Sequence, residues 1–325
     1  MISMYARLYL ARKAVELLPN ESSFIMTMME DFFILFNEWN TLPEWKTKLE
    51  KYGLSLFEYI DLYAPTIEWI LESIGQTKEG NEKLFNNLIE KYQKEFKTTM
   101  FLYHIMNSFD PKIVSKNAGL MVFLIRESED EFVEKHKFYK TLGEKFNLVP
   151  PKDSEKMRLL NEIWKNVTKI DNVLNYIPIV ETFMNYVSKN FSMREVGILF
   201  SDLRKHLKGF QEISLVEKNL QNLLLSLLEN TNDFVKVFNM PHFLFIFDLL
   251  KSSTKVKVSQ AMLNSFGRKK FDSGEVVEPI VLNSLFDLSK TLHDSLNYLS
   301  EESQINLISD SICTFINNVS FLNFS

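Results

Sequence analysis

The sequence predicts an all-α chain, a solenoid of antiparallel helix hairpins, and three observations predict it. Apolar residues recur three and four positions apart almost everywhere, and no convincing period-two run is found. Glycine and proline, at 9 each in 325 residues, fall well below their usual shares of roughly 7% and 5%, which removes the turn material of β-sandwiches, collagen and low-complexity linkers. The 28 phenylalanines need a long interior to hide in.

The period predicts helices over 3–18, 22–39, 43–52, 54–62, 65–75, 78–93, 96–109, 111–127, 130–147, 153–170, 172–189, 192–207, 215–229, 231–238, 241–251, 253–266, 279–299 and 301–320. In the second, Phe24, Met28, Phe32, Leu35 and Trp39 form the stripe. Pro65, Pro111 and Pro279 suit a first helical turn, where the missing N–H has no partner to lose, and Asp110 is placed to cap the helix that starts at Pro111. Ser128 with Glu131, and Ser192 with Glu195, read as capping boxes. Met157, Leu160, Trp164 and Val167 continue the pattern, as do Val281, Leu285, Leu288, Leu292, Leu296 and Leu299. Ile305, Ile308, Ile312, Phe315 and Val319 close it. The interruptions fall at Asn40 to Tyr52, Lys208 to Ser214 and Gly267 to Glu278.

Neighbouring helices pair at a spacing of about 40 residues, the rhythm of two-helix HEAT-like repeats, with a large helical bundle as the alternative. Length alone suggests two ordinary domains, but a repeat array replaces that count with a single α-solenoid segment over 1–325. The first helix begins almost at Met1, and the last stripe runs on to Phe321, Leu322 and Phe324 without a polar capping repeat, so the expectation is a piece of a longer array.

A net charge of −5 and a pI near 5.7 argue against nucleic acid, whose backbone calls for a basic face. One cysteine, Cys313, excludes an internal disulfide and a four-cysteine zinc site, and fits a reducing cytosolic setting. The longest apolar run, Ala118 to Ile125, is far short of the ~20 residues that cross a bilayer, so the chain is peripheral to a membrane at most.

Chemistry-bearing motifs are missing: no Gly-rich phosphate loop, H-E-x-x-H, EF-hand or G-x-S-x-G occurs. His104, His136, His206, His242 and His293 lie far apart, which offers no metal spacing, and no cofactor is implied. His293 and Asp294 resemble an acid–base pair, but adjacent helical residues point about 100° apart, so a packing or surface role is expected. Cys313, beside Ile312, reads as core filler. Glu127, Glu129, Asp130 and Glu131 read as a solvated turn, and Lys255, Lys257, Arg268, Lys269 and Lys270 as a plain basic face. Phe243, Phe245 and Phe247 read as core. An enzyme would need a pocket joining His206 or His242 to carboxylates of perturbed pKa, and the expectation is a non-enzyme.

One stretch carries more than rhythm. Ile2 to Leu10, which contains Arg7-Leu8-Tyr9-Leu10, resembles the R-L-Y-L signature of the large α-solenoid subunits of the endosomal sorting complexes retromer and retriever. Three further stretches follow in order: Leu160 to Lys165, Tyr186 to Val196, and Val281 to Leu285 with Lys290 to Asn297. Together they resemble the retriever complex large subunit, the vacuolar protein sorting 35-like branch of the family, over a middle part of its longer solenoid. Retromer's version has a proline before the signature where this chain has Ala6, which leans the resemblance toward retriever.

The resemblance implies a scaffold that recycles membrane cargo from endosome to plasma membrane, working on the cytosolic face of endosomes. In that family the R-L-Y-L helix is gripped by an arrestin-like subunit, which would engage Arg7, Leu8, Tyr9 and Leu10 here. A metallophosphoesterase-fold subunit sits in the C-terminal half, expected to lie largely beyond Ser325, and the complex joins the Commander assembly and takes cargo through a sorting nexin adaptor. The residues themselves are compatible: Arg7 and Leu10, three apart, share a helix face, while Leu8 and Tyr9 are the alternative inward-packing pair. The competing reading is a generic HEAT-like adaptor in another trafficking or transport complex.

Overall fold

The computed structural model describes residues 2–18, 23–41, 43–75, 81–95, 97–129, 132–231, 234–268, 277–296 and 300–320. Among them every regular element is a helix. The chain divides into two compact units, 1–164 and 165–325.

The first unit contains α1 (Ile2–Leu17), α2 (Ser23–Thr41), α3 (Pro43–Lys51), α4 (Leu56–Asp61), α5 (Ala64–Gly75), α6 (Asn81–Glu95), α7 (Thr99–Ser108), α8 (Pro111–Lys116), α9 (Ala118–Glu127) and α10 (Lys135–Leu148). The division falls near the end of α11 (Asp153–Val167). Helix α5 is central because its apolar stripe, Ile67, Ile70, Leu71 and Ile74, is fully buried, and α1, α2, α6 and α7 pack around it. Aromatic edges lock the layers: Phe33 meets Phe101 with centroids 4.9 Å apart, and Phe85 meets Phe109 at 5.2 Å. The Lys145 ammonium donates to the Asn107 and Phe109 carbonyls at 2.8 Å each, serving acceptors at the end of α7 that the helix cannot satisfy itself.

The second unit contains α12 (Val173–Asn190), α13 (Met193–Leu207), α14 (Ile213–Asn230), α15 (Phe234–Phe238), α16 (Phe243–Asp248), α17 (Ser252–Arg268), α18 (Pro279–Asp294) and α19 (Glu302–Ser320). Helices α12, α14, α17 and α19 pack each on the next, and the others lie alongside that row: α13 on α12, α15 and α16 on α17, α18 on α17 and α19. The row's helices begin at Val173, Ile213, Ser252 and Glu302, steps of 40, 39 and 50 residues, so the first two match the expected spacing of about 40 and the third exceeds it. Polar side chains stitch the row between apolar layers. Glu181 accepts from the Asn219 and Asn222 amides at 2.6 and 2.8 Å, Asn230 donates to Asn185 at 2.9 Å, and Gln260 donates to the Leu307 carbonyl at 3.2 Å.

Three boundaries differ from the expectation by more than three residues. The helix expected over 111–127 breaks at Asn117, whose amide reaches back to the Ile113 carbonyl at 2.9 Å and whose backbone (φ −103°, ψ 18°) leaves the helical well. The helix expected from 130 begins at Lys135: Ser128 ends α9 instead, its hydroxyl donating to the Ile125 carbonyl at 2.7 Å, and the Val133 N–H is taken by Thr99 Oγ1 at 2.9 Å. Its supposed partner Glu131 lies outside the described residues. Helix α18 stops at Asp294 rather than 299, and residues 297–299 also lie outside them. Two local signals hold. Asp110 caps Lys112 N at 2.7 Å ahead of Pro111, and the Ser192–Glu195 capping box forms. The interruption at 208–212 turns on Gly209 at φ +87°, a conformation open to glycine at little cost.

Candidate partner-binding surface

Helix α1 packs on α5 within the first unit. Ala11 is buried, the Tyr5 hydroxyl donates to the Leu62 carbonyl at 3.2 Å, and the Arg12 guanidinium lies over the Trp69 ring of α5 at 5.9 Å. Alanine at the contact lets the α1 backbone approach closely, which leaves the larger side chains on the remaining arc. Tyr9 is 63% exposed, Leu10 66% and Leu17 80%. With Lys13, which pairs with Glu16 at 2.8 Å, they make an outward strip that is apolar in its largest members.

Of the four expected site residues, Tyr9 and Leu10 are therefore displayed and Leu8 is half-buried. The expected pairing of Leu8 and Tyr9 on the inner side is divided, because a 100° step per residue carries Tyr9 past the contact arc. Arg7 lies on α1, with its side chain outside those described. Sequence reasoning passed over Leu17, two turns on; a large apolar residue at the end of a helix reads as core unless the packing partner is known.

The other singled-out residues disperse. His293 Nδ1 and Asp294 Oδ1 lie 3.1 Å apart although adjacent helical residues point about 100° apart, because both side chains are exposed and bend toward each other at the surface. Cys313 is exposed, not core: Ile308, Ser311, Phe315 and Val319 define the buried arc, and position 313 falls off it. Glu127 pairs with Arg126 at 2.9 Å, while Asp130 and Glu131 lie outside the described residues. Of the basic residues, Lys255 sits over Phe247 at 4.8 Å and bonds Asp248 at 3.2 Å, Arg268 donates to the Leu228 carbonyl at 3.0 Å, and Lys269 and Lys270 are not among the residues described. Phe243 and Phe247 are core as expected, with Phe245 only half-buried.

His206 does lie beside a carboxylate. Its ring stacks on Tyr176 at 3.7 Å, and the Tyr176 hydroxyl donates to Asp202 Oδ2 at 2.6 Å. Burial, then the bond to Asp202, pushes the Tyr176 hydroxyl far above its ordinary pKa, so the phenol stays protonated and tied between α12 and α13. That arrangement joins two helices by a mutually satisfied polar pair. Among the described residues no group of three His, Cys, Asp or Glu side chains could hold a metal, and no helix is long and apolar enough to cross a membrane.

Residues 80–324, from just before α6 to the last residues of the chain, match the family model described as the VPS35L C-terminal domain. The chain belongs to the VPS35L family. The VPS35 endosomal protein-sorting factor-like protein of Homo sapiens is 28% identical over 322 residues, its counterpart in Dictyostelium discoideum 26% over 321, and that of Mus musculus 27% over 322. Each alignment covers 99% of this chain but only 32–33% of the relative, so the chain spans about a third of the length of the curated VPS35L relatives it matches. The α1 signature lies before the part matched by the family model, yet inside the alignments to the relatives, which extend over nearly the whole chain.

Proposed function

We propose that this chain is a non-enzymatic scaffold segment of a retriever-type complex that recycles membrane cargo from endosomes, and that α1 docks an arrestin-like subunit through Arg7, Leu8, Tyr9 and Leu10. Membership of the VPS35L family supports the first part, since the named relatives are endosomal protein-sorting factor-like proteins. The observation that carries the second is the display of Tyr9 and Leu10 on a helix whose Ala11 is buried and whose Arg12 lies over the Trp69 ring of α5. Tyrosine and arginine beside exposed leucine are the side chains that dominate interface energetics once water is excluded. The row of helices works as a rigid support, because each apolar stripe is buried only against its neighbours.

A pull-down tests the proposal, with the arrestin-like subunit of retriever immobilised and the full chain in solution. Arg7→Ala and Leu10→Asp should each reduce capture at least about tenfold, a loss of ~1.4 kcal/mol or more. Capture of the wild type with no loss in either variant removes the α1 assignment. No capture of the wild type removes the retriever reading itself.

A further inference from the structure

Arg204 occupies a prepared position in the second unit. It is exposed near the end of α13, where its guanidinium lies over the Phe245 ring at 5.2 Å and Nη1 stands 2.8 Å from His242 Nδ1. A guanidinium only donates, so His242 Nδ1 accepts and the imidazole carries its proton on Nε2. His242 adopts φ 73° and ψ −3°, the one positive-φ non-glycine residue among those described, in the turn that follows Pro241 and opens α16. A side-chain-bearing residue is held in that region only where its surroundings over-determine it, and such residues concentrate at binding sites.

Two helices and a constrained turn thus fix one arginine, yet no carboxylate meets it among the described residues. Lys208, four residues on and also exposed, has no acidic partner there either. Cations in a last helical turn suit the helix dipole, which explains their presence. The dipole does not call for ring stacking, an imidazole acceptor or a left-handed backbone. Each of these lowers the entropy that a guanidinium loses on gripping a planar anion with two parallel N–H groups.

We infer that Arg204, steadied by Phe245 and His242 and assisted by Lys208, binds a carboxylate of an acidic segment in a protein partner. The inference is independent of α1 and its partner. Carboxylate is favoured over a phosphate surface because the chain carries a net charge of −5, which opposes approach to a densely anionic membrane, while a single acidic segment needs only this local pair of cations.

Fluorescence anisotropy of the full chain with a fluorescein-labelled peptide, four glutamates between two glycines, tests it. The wild type should bind this probe and not its glutamine counterpart. Arg204→Lys, which keeps the charge and loses the fork, should weaken binding at least about fivefold. His242→Gly, which removes the acceptor and is at ease at positive φ, should weaken it less. Lys251→Gln, an exposed lysine just ahead of α17, should change nothing. No binding of the glutamate probe, equal binding by Arg204→Lys, an equal loss with Lys251→Gln, or preferential displacement by inorganic phosphate would each overturn the assignment.

Discussion

At Ser192 the backbone N–H donates to Glu195 Oε2 at 3.0 Å while the hydroxyl oxygen accepts from the Arg194 N–H at 3.2 Å, so two donors that α13 cannot pair are served by residues three positions apart. The hydroxyl's bond to the Glu195 carboxylate, first among several, holds that group below the usual carboxylate range. Ser192→Ala should lower unfolding free energy by about 1 kcal/mol in urea titrations with an unchanged slope, and no loss would mean that the cap is redundant. This box was legible because it is local. His104 was not: burial, opposed by Glu72 and Asp61, holds its imidazole below the ordinary 6.5. Between its folded pKa and 6.5 the unfolded chain binds more protons than the folded one, so the stability present above 6.5 is lost as pH falls below it, by up to ~1.4 kcal/mol per pH unit. Burial shifts His136 the same way. In calorimetry, the fall in Tm from about pH 7 to about pH 5.5 should be smaller in His104→Gln, and an identical fall would show that His104 is not the group responsible.

Helices as elements were read from the sequence because the apolar period is a backbone property, one face every 3.6 residues. Their ends were less legible. Asn117 and Ser128 act through hydrogen bonds that a hydrophobic pattern does not register, and the segment that leads into α10 is held by the bond of Val133 to Thr99, 34 residues earlier. Gly267 illustrates the same limit. It reads as the opening of a loop, yet it lies in the last turn of α17 against α19, where an added Cβ would come within 2.6 Å of Thr314 Cγ2 and where its carbonyl accepts from the Asn318 amide. Gly267→Ala should destabilise the chain despite gaining up to ~1 kcal/mol of helix propensity, because Thr314 is branched at Cβ and its rotamer is held by the hydroxyl's bond to the Asp310 carbonyl at 2.7 Å. Thr314→Ala in the same chain should restore most of the loss. Additive effects in that double-mutant cycle would show that the two residues do not touch.

Across the molecule, stability is distributed along rows of helices in which each member leans on its neighbours. Phe266 of α17 lies 6.2 Å from the ring of Phe234 and 5.6 Å from that of Phe315, so it joins α15, α17 and α19. Phe266→Ala should cost about 3–5 kcal/mol, and amide hydrogen exchange should quicken in α15, α17, α18 and α19 well before α12 and α13. Uniform quickening through the second unit would mean a single cooperative core. The sequence by itself determined the all-α class, the rhythm near 40 residues and the family resemblance, because periodicity, sparse glycine and proline, and collinear motifs are written in the order of residues. Only the tertiary structure decided which amphipathic faces stay open: Tyr9, Leu10 and Leu17 are displayed, Cys313 faces outward, and Arg204 finds a histidine 38 residues away. Helical phase states which residues share a face, but exposure depends on where the neighbouring helix lands, and that is fixed by side-chain packing between segments remote in the chain.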